Sequence, residues 1–185
     1  KNFNTYSENS STYENKNDHE IFGTLLVKSE LPLKKYINEN LTNFLKPVAQ
    51  FRFSPTNGKN ISESGSTIRY DNIFSPNRIG RSDMVEKGSS LSLGIEFEKQ
   101  IEKENLIKEK ILGLNLGNVI KYKKNDSLPL KSKLSETRSD IVGNLFYKIE
   151  DKIEFNYNFS YDRDLDFSNY DAITAKFGSN NFIST

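Results

Sequence analysis

Four carboxylates are the first residues of this 185-residue chain whose type suggests chemistry: Glu96, Glu98, Glu154 and Asp162. Glycoside hydrolysis uses such groups in pairs, one as acid and the other as base or nucleophile. All four fall on polar faces of alternating segments. A charge-lined lumen accounts for them without catalysis, and no aromatic sugar platform shares that face. Asp162, Asp164 and Asp166 have the spacing that opens a calcium loop. Such a loop also needs Gly at its sixth position and Glu at its twelfth, where this chain has Phe167 and Ile173. The triplet therefore reads as a solvated acidic loop. Lys121, Lys123 and Lys124 close a strand and suit either anionic headgroups or plain solvation. His19 is the single His and reads as an exposed loop residue, while Cys is absent. That excludes thiol nucleophiles, disulfides, cysteine-held zinc and iron–sulfur clusters. No catalytic, cofactor-binding or metal-ligating residue is assigned. Lys+Arg at 26 against Asp+Glu at 25 leaves a net charge of +1, so no field favours nucleic acid.

The elements that position these residues follow period two. Over residues 90–101, Leu91, Leu93, Ile95, Phe97 and Ile101 point one way, and Ser90, Ser92, Gly94, Glu96, Glu98 and Gln100 the other. Leu112, Leu114, Leu116, Ile120 and Tyr122 then alternate against Gly113, Asn115, Gly117 and Lys121. Ile141, Gly143, Leu145, Tyr147 and Ile149 share a side. The cleanest case sets Ile153, Phe155, Tyr157, Phe159 and Tyr161 against Glu154, Asn156, Asn158, Ser160 and Asp162. Weaker alternation marks residues 21–33, 41–54, 67–72 and 170–177. The count is about eight strands.

Residues 96–112 are rich in helix formers, but their apolar positions keep period two on both sides of 102–105, which favours a hairpin. Connections alternate in length: short near 103, long and broken by Pro129 near 130, tight at Glu150 and Asp151, longer near 166. An up-and-down meander with short turns at one end and long loops at the other is the pattern of outer-membrane barrels. Strands near ten residues also match a tilted bilayer crossing. Gly94, Gly113, Gly117 and Gly143 beside Asn115, Asn156 and Asn158 suit a closed lumen better than an open solvated face. A soluble β-sandwich, glycan-binding for instance, stays open as the alternative. The mean hydropathy of −0.68 averages an apolar wall with polar loops, and no window suits a transmembrane helix.

Residues 1–20 are Asn-, Ser- and Glu-rich and read as a polar lead-in or loop. The chain opens on Lys1 and ends on FGSNNFIST, so residues 21–185 read as a barrel segment incomplete at both ends.

The stretch 51–94 contains FRFSP, YDNIFSPNRIGRSDMVEKG and SLSLG. It resembles the barrel region of the LptD family of lipopolysaccharide-assembly outer-membrane proteins. Asn72, Phe74, Ser75, Asn77, Arg78, Gly80, Asp83 and Gly88 occupy the family pattern, and the resemblance continues through Pro129, Leu134, Ser139, Asp140 and Gly143. It implies an all-β antiparallel meander forming part of a large transmembrane β-barrel of the Gram-negative cell outer membrane. The implied function is lipopolysaccharide transport and insertion into the outer leaflet, without enzymatic chemistry or cofactor. Implied partners are lipopolysaccharide, outer-membrane lipids and the plug lipoprotein LptE, and no nucleic acid. A porin or receptor barrel of another family is the alternative within that architecture. The expected lipid-facing residues are Leu91, Leu93, Ile95, Phe97, Ile153, Phe155, Tyr157, Phe159 and Tyr161. Glu96, Glu98, Asn115, Glu154, Asn156 and Asn158 are expected to face the lumen. Asn77, Arg78, Gly80 and Asp83 form the family-motif loop, expected to act structurally, with Arg78 and Asp83 as an ion pair, or to fold inward over the lumen.

Overall fold

The computed structural model describes residues 2–4, 17–19, 23–55, 60–81, 85–103, 108–150, 152–162, 164 and 168–178. Two short strands, β1 (Asn2–Asn4) and β2 (Asn17–His19), pair antiparallel on their own, so His19 closes a strand instead of lying in a loop. The remaining strands are β3 (Leu25–Glu30), β4 (Leu33–Asn38), β5 (Leu41–Ser54), β6 (Gly88–Glu102), β7 (Lys108–Lys121), β8 (Ile141–Ile149), β9 (Ile153–Tyr161) and β10 (Ser168–Phe177). They form one antiparallel eight-stranded sheet in the order β10-β9-β8-β7-β6-β5-β3. β4 shares the β5 edge with β3. Among the described residues there is no α-helix, only a short 3-10 segment over Lys131–Lys133.

Chain order and sheet order coincide, which makes the sheet a meander. The hairpin expected inside residues 96–112 is present. β6 and β7, 15 and 14 residues long, pair from Ser90↔Lys121 to Glu102↔Lys108. Two expectations change. The segment expected as one strand over 21–33 is two strands, because Pro32 has no N–H to donate to a ladder. Leu31 still donates to the Pro47 carbonyl at 3.1 Å, so the edge continues across the break. Residues 67–72 are not a strand. Ile68 and Tyr70 alternate as a strand would, but the Asn72 side chain bonds both the Arg69 amide and the Thr67 carbonyl, and Asn72 and Ile73 donate back to Arg69. Local turn bonding by Asn wins over ladder pairing here.

Short connections lie at one end of the sheet (39–40, 103–107 and 150–152) and longer ones at the other (55–87, 122–140 and 162–167). The two faces differ in character. On the open face, register aligns Leu45, Phe97, Leu114, Leu145, Tyr157 and Ile173 as one row across β5 to β10. Three rows along, towards the long connections, Phe51, Leu91 and Ile120 are aligned on the same face. Polar residues interrupt this face at Lys35, Asn43 and Lys99, which share one row, and at Ser29, Asn118 and Asp171.

The reverse face carries Arg52, Gln50, Ser90, Ser92, Glu96, Asn115, Asn156 and Asn158, and the two longest connections fold back over its upper half. There Ile61, Ile68, Ile73 and Ile79 of the first loop and Leu128 and Leu134 of the second form a buried cluster with Val119 and Val142 of the wall. Each aliphatic side chain so buried contributes roughly 1.5–3 kcal/mol. Apolar contact therefore holds the loops down, and the polar contacts set where they sit. Gly143 lies on the open face, as its alternation with Ile141 and Leu145 predicts, and not with the lumen glycines with which its residue type groups it. Its cross-strand partner Phe159 lays its ring over it, so a Cβ there would meet Phe159 Cε2 at 2.7 Å.

Candidate functional site

The face covered by the loops gathers the polar chemistry of the chain. Arg78, at the turn of the family motif, is 2% exposed. Its Nε and Nη2 donate to Glu86 Oε2 and Oε1 at 2.5 and 2.7 Å. Its Nη2 and Nη1 also reach Ser90 Oγ at 2.7 Å and Ser92 Oγ at 3.1 Å on β6. Ser92 Oγ donates in turn to the Ile73 carbonyl at 3.0 Å. One guanidinium thus ties both limbs of the 55–87 loop to the wall. Burial alone would raise the Glu86 carboxyl, but the charge and hydrogen bonds of Arg78 outweigh it and hold the group below its ordinary value. The expected partner of Arg78, Asp83, lies outside the described residues.

Around this pair the motif residues shape the turn. Asn77 Nδ2 donates to the Arg81 carbonyl. Gly80 sits at φ 76°, where a side chain would be strained, and its amide donates to the Asn77 carbonyl at 3.2 Å. Arg52 on β5 is 1% exposed, and its Nε donates to the Pro76 carbonyl at 3.2 Å. Lys121 at the end of β7 is buried and donates to the Leu134 carbonyl, anchoring the second loop. Lys124 pairs with Glu136 at 2.5 Å.

A notch in the wall receives the first loop. Gly94 and Gly117 are directly opposed on β6 and β7. A Cβ on Gly94 would lie 2.7 Å from Phe74 Cζ. One on Gly117 would run into Ile73 Cδ1 and fall 2.9 Å from the Leu93 carbonyl oxygen. Tyr70 packs edge-on against Phe74, ring centroids 5.8 Å apart, and donates to Glu96 Oε1 at 3.0 Å. Burial and the Glu96 charge push its phenol pKa upward, keeping it a donor. Gly117→Val is expected to unseat this loop. Overpacking costs about 1–3 kcal/mol, enough to speed proteolytic cleavage within residues 60–81 of the folded protein by about five- to a hundredfold. Cleavage at the wild-type rate would show that the notch does not seat the loop.

A second clamp lies at β8. Asp140 is fully buried, and its Oδ2 accepts from Asn169 at 2.6 Å and Ser160 at 3.2 Å. Burial pushes its carboxyl up. Ser139 Oγ accepts from the Val119 amide at 2.9 Å and donates to the Asp140 carbonyl at 2.8 Å.

The four carboxylates considered for glycoside chemistry are not brought together. Glu96 and Glu98 pair with Lys46 at 2.7 Å and Lys110 at 3.2 Å. Glu154 lies three strands away on β9, about 14 Å at the usual strand spacing, beyond the separation that hydrolases use. Asp162 pairs with Lys133 at 3.3 Å at the opposite end of the sheet. Of the acidic triplet, Asp166 lies outside the described residues. No group of three metal-ligating side chains occurs among the described residues.

Sequence reasoning missed Glu86, Arg52, Gln50, Ser90, Ser92 and Ser132, whose Oγ accepts the Ile68 amide at 3.1 Å. A signal existed for the strand members: Gln50, Arg52 and Ser54, with Ser90 and Ser92, are polar at period two opposite an apolar face. Glu86 has no such signature.

Long antiparallel strands, an apolar open face and a polar reverse filled by loops define the wall of an outer-membrane type β-barrel. A family model described as LptD, LPS transport system D, matches residues 1–185. The chain therefore belongs to the LptD family, non-enzymatic lipopolysaccharide-transport proteins of the Gram-negative outer membrane whose substrate is lipopolysaccharide. No curated protein matched the sequence.

Proposed function

We propose that this chain is a wall segment of the barrel through which lipopolysaccharide is inserted into the outer leaflet. The observation that carries this reading is the division of one sheet into a mainly apolar face and a mainly polar face bearing folded-back loops. Leu91, Leu93, Ile95, Phe97, Ile153, Phe155, Tyr157, Phe159 and Tyr161 then meet outer-membrane lipid. Glu96, Glu98, Asn115, Glu154, Asn156 and Asn158 line the lumen. The short connections lie on the periplasmic side, the long ones outside. Residues 55–87 and 122–140 then narrow the outer half of the lumen. The lower half, with Lys46, Glu96, Glu98 and Lys110 exchanging charge across strands, is left open to a plug such as LptE.

Paired fluorophores test the assignment. Single labelled cysteines replace Leu145 and Asn156 in the full-length protein reconstituted in vesicles. Brominated lipids are expected to quench the label at 145 strongly and the label at 156 weakly, with aqueous iodide giving the reverse order. Equal quenching at both sites rejects the two-faced wall.

A further inference from the structure

The loop-covered part of the polar face has an imbalance of charge that the wall role does not use. Among the described residues, Arg52, Arg78 and Lys121 are all buried there; the buried carboxylate facing them, Glu86, is engaged by the Nε–Nη2 edge of Arg78, and the other buried carboxylate, Asp140, is bonded to Ser160 and Asn169 at β8. Lys121 is served by a backbone carbonyl. Arg52 has only the Pro76 carbonyl, on its Nε, and its Nη1 and Nη2 are buried without an acceptor. Gln50, 2% exposed and two residues along the same face of β5, has its Nε2 buried without an acceptor as well. A guanidinium cannot shed its charge by deprotonating. Buried donors without acceptors are costly, and a buried charge more so.

The unmet groups share one character. Two guanidinium nitrogens in a planar fork match an oxyanion that accepts two parallel bonds, and the Gln50 amide lies two residues along the same strand face. Asn77, next in the chain after Pro76, contributes a buried Oδ1 without a donor. A monoprotonated phosphate supplies both needs, since its oxygens accept and its P–OH donates. We propose that Arg52 and Gln50 of β5, closed over by the Pro76–Asn77 turn of the first loop, form a binding site for a phosphate group. Two sources supply that chemistry: free inorganic phosphate, and a phosphate carried on a lipid headgroup passing the lumen wall. The second source rests on the barrel reading above; the first does not.

Thermal unfolding of the full-length protein in detergent tests the site. At matched ionic strength, inorganic phosphate is expected to raise the unfolding midpoint above that in chloride. Arg52→Gln should weaken the apparent phosphate affinity by about tenfold or more, as losing a charge-assisted pair implies. Gln50→Met keeps volume, removes one donor and should give a smaller loss, which covers an Arg52→Gln protein that fails to fold. Micelles carrying bisphosphorylated lipid A, compared with its dephosphorylated form, separate the sources. A shift with inorganic phosphate alone assigns the site to the free ion, and a shift that needs the lipid phosphates assigns it to the headgroup. Absence of any phosphate-specific shift in wild type, or equal shifts in wild type and both variants, overturns the proposal and leaves the donors to water. Failure of the lipid-quenching experiment would remove the barrel reading and leave the inorganic-phosphate result standing.

Discussion

Glu86→Leu is expected to be far more damaging than Arg78→Met, although both break the same ion pair. Removing the carboxylate leaves a buried guanidinium that cannot neutralise itself, and breaking a buried pair in this way costs about 3–5 kcal/mol. Removing the guanidinium leaves a carboxylate that escapes much of its cost by taking up a proton. Leu for Glu86 should therefore increase opening of the 55–87 loop, read by proteolysis of the folded protein, by about two to three and a half orders of magnitude. Arg78→Met should do distinctly less, and the double variant should recover part of the Glu86→Leu loss, because the buried charge has gone. The pH dependence has a definite sign. The Glu86 carboxyl is held below its ordinary value near 4.5. The contribution of the pair is then present above that value and lost only as pH falls through the lower folded value. Loop cleavage should stay slow at mildly acidic pH and rise in stronger acid. A larger effect from Arg78→Met, or full additivity in the double variant, would show that the pair is not the clamp described.

Much of the wall was legible because a membrane-type sheet imposes one simple rule on its sequence. Every second residue of β6 and β9 had to be apolar, so Leu91, Leu93, Ile95 and Phe97, and Ile153 through Tyr161, declared both the strands and the face they share. Register followed, since a slip of one residue would move an entire apolar set to the polar side. The same rule misled at residues 67–72. Ile68 and Tyr70 alternate there, but their partners are Val119, Val142 and the Gly94–Gly117 notch below them, and no strand lies beside them. Alternation states which side chains are apolar without stating whether a backbone neighbour exists. The Asn72 turn bonds, invisible to periodicity, decided the matter.

The polar face was legible by type and not by task. Alternation places Ser90 and Ser92 on the polar side and says no more, yet both are hydrogen-bond partners of a loop guanidinium. Arg78 was singled out by its motif, but nothing in the motif or in the alternation points to Glu86, whose two carboxylate oxygens it engages. Glu86 lies where the returning limb of the loop meets β6, a position fixed by the docking of Ile73 and Phe74 and by nothing local to Glu86. Residues whose role depends on loop docking carry no periodic signature, and this candidate site consists mostly of such residues.

The second large effect follows from the two faces themselves. Leu114→Arg is expected to impair assembly of the full-length barrel severely, whereas Asn115→Arg, one residue along β7, should be tolerated. Leu114 lies in the central open-face row with Phe97, Leu145 and Tyr157. An Arg at bilayer mid-depth costs about 2–4 kcal/mol. Asn115 is opposed to Glu96 on the reverse face, where the carboxylate already pairs with Lys46 and Glu98 lies along the same strand. A cation added there meets acidic neighbours in a polar setting. Phe155 stands one row nearer the short turns, opposite Tyr147, so Phe155→Arg should fall between the two, since the penalty declines towards the interface. The readout is the fraction of protein reaching a heat-modifiable folded form in outer membranes. The graded order Leu114→Arg, Phe155→Arg, Asn115→Arg is specific to lipid on the open face. A soluble sandwich would bury that face against a second sheet and show no dependence on height along the strand, so equal losses at Leu114 and Phe155 would favour it.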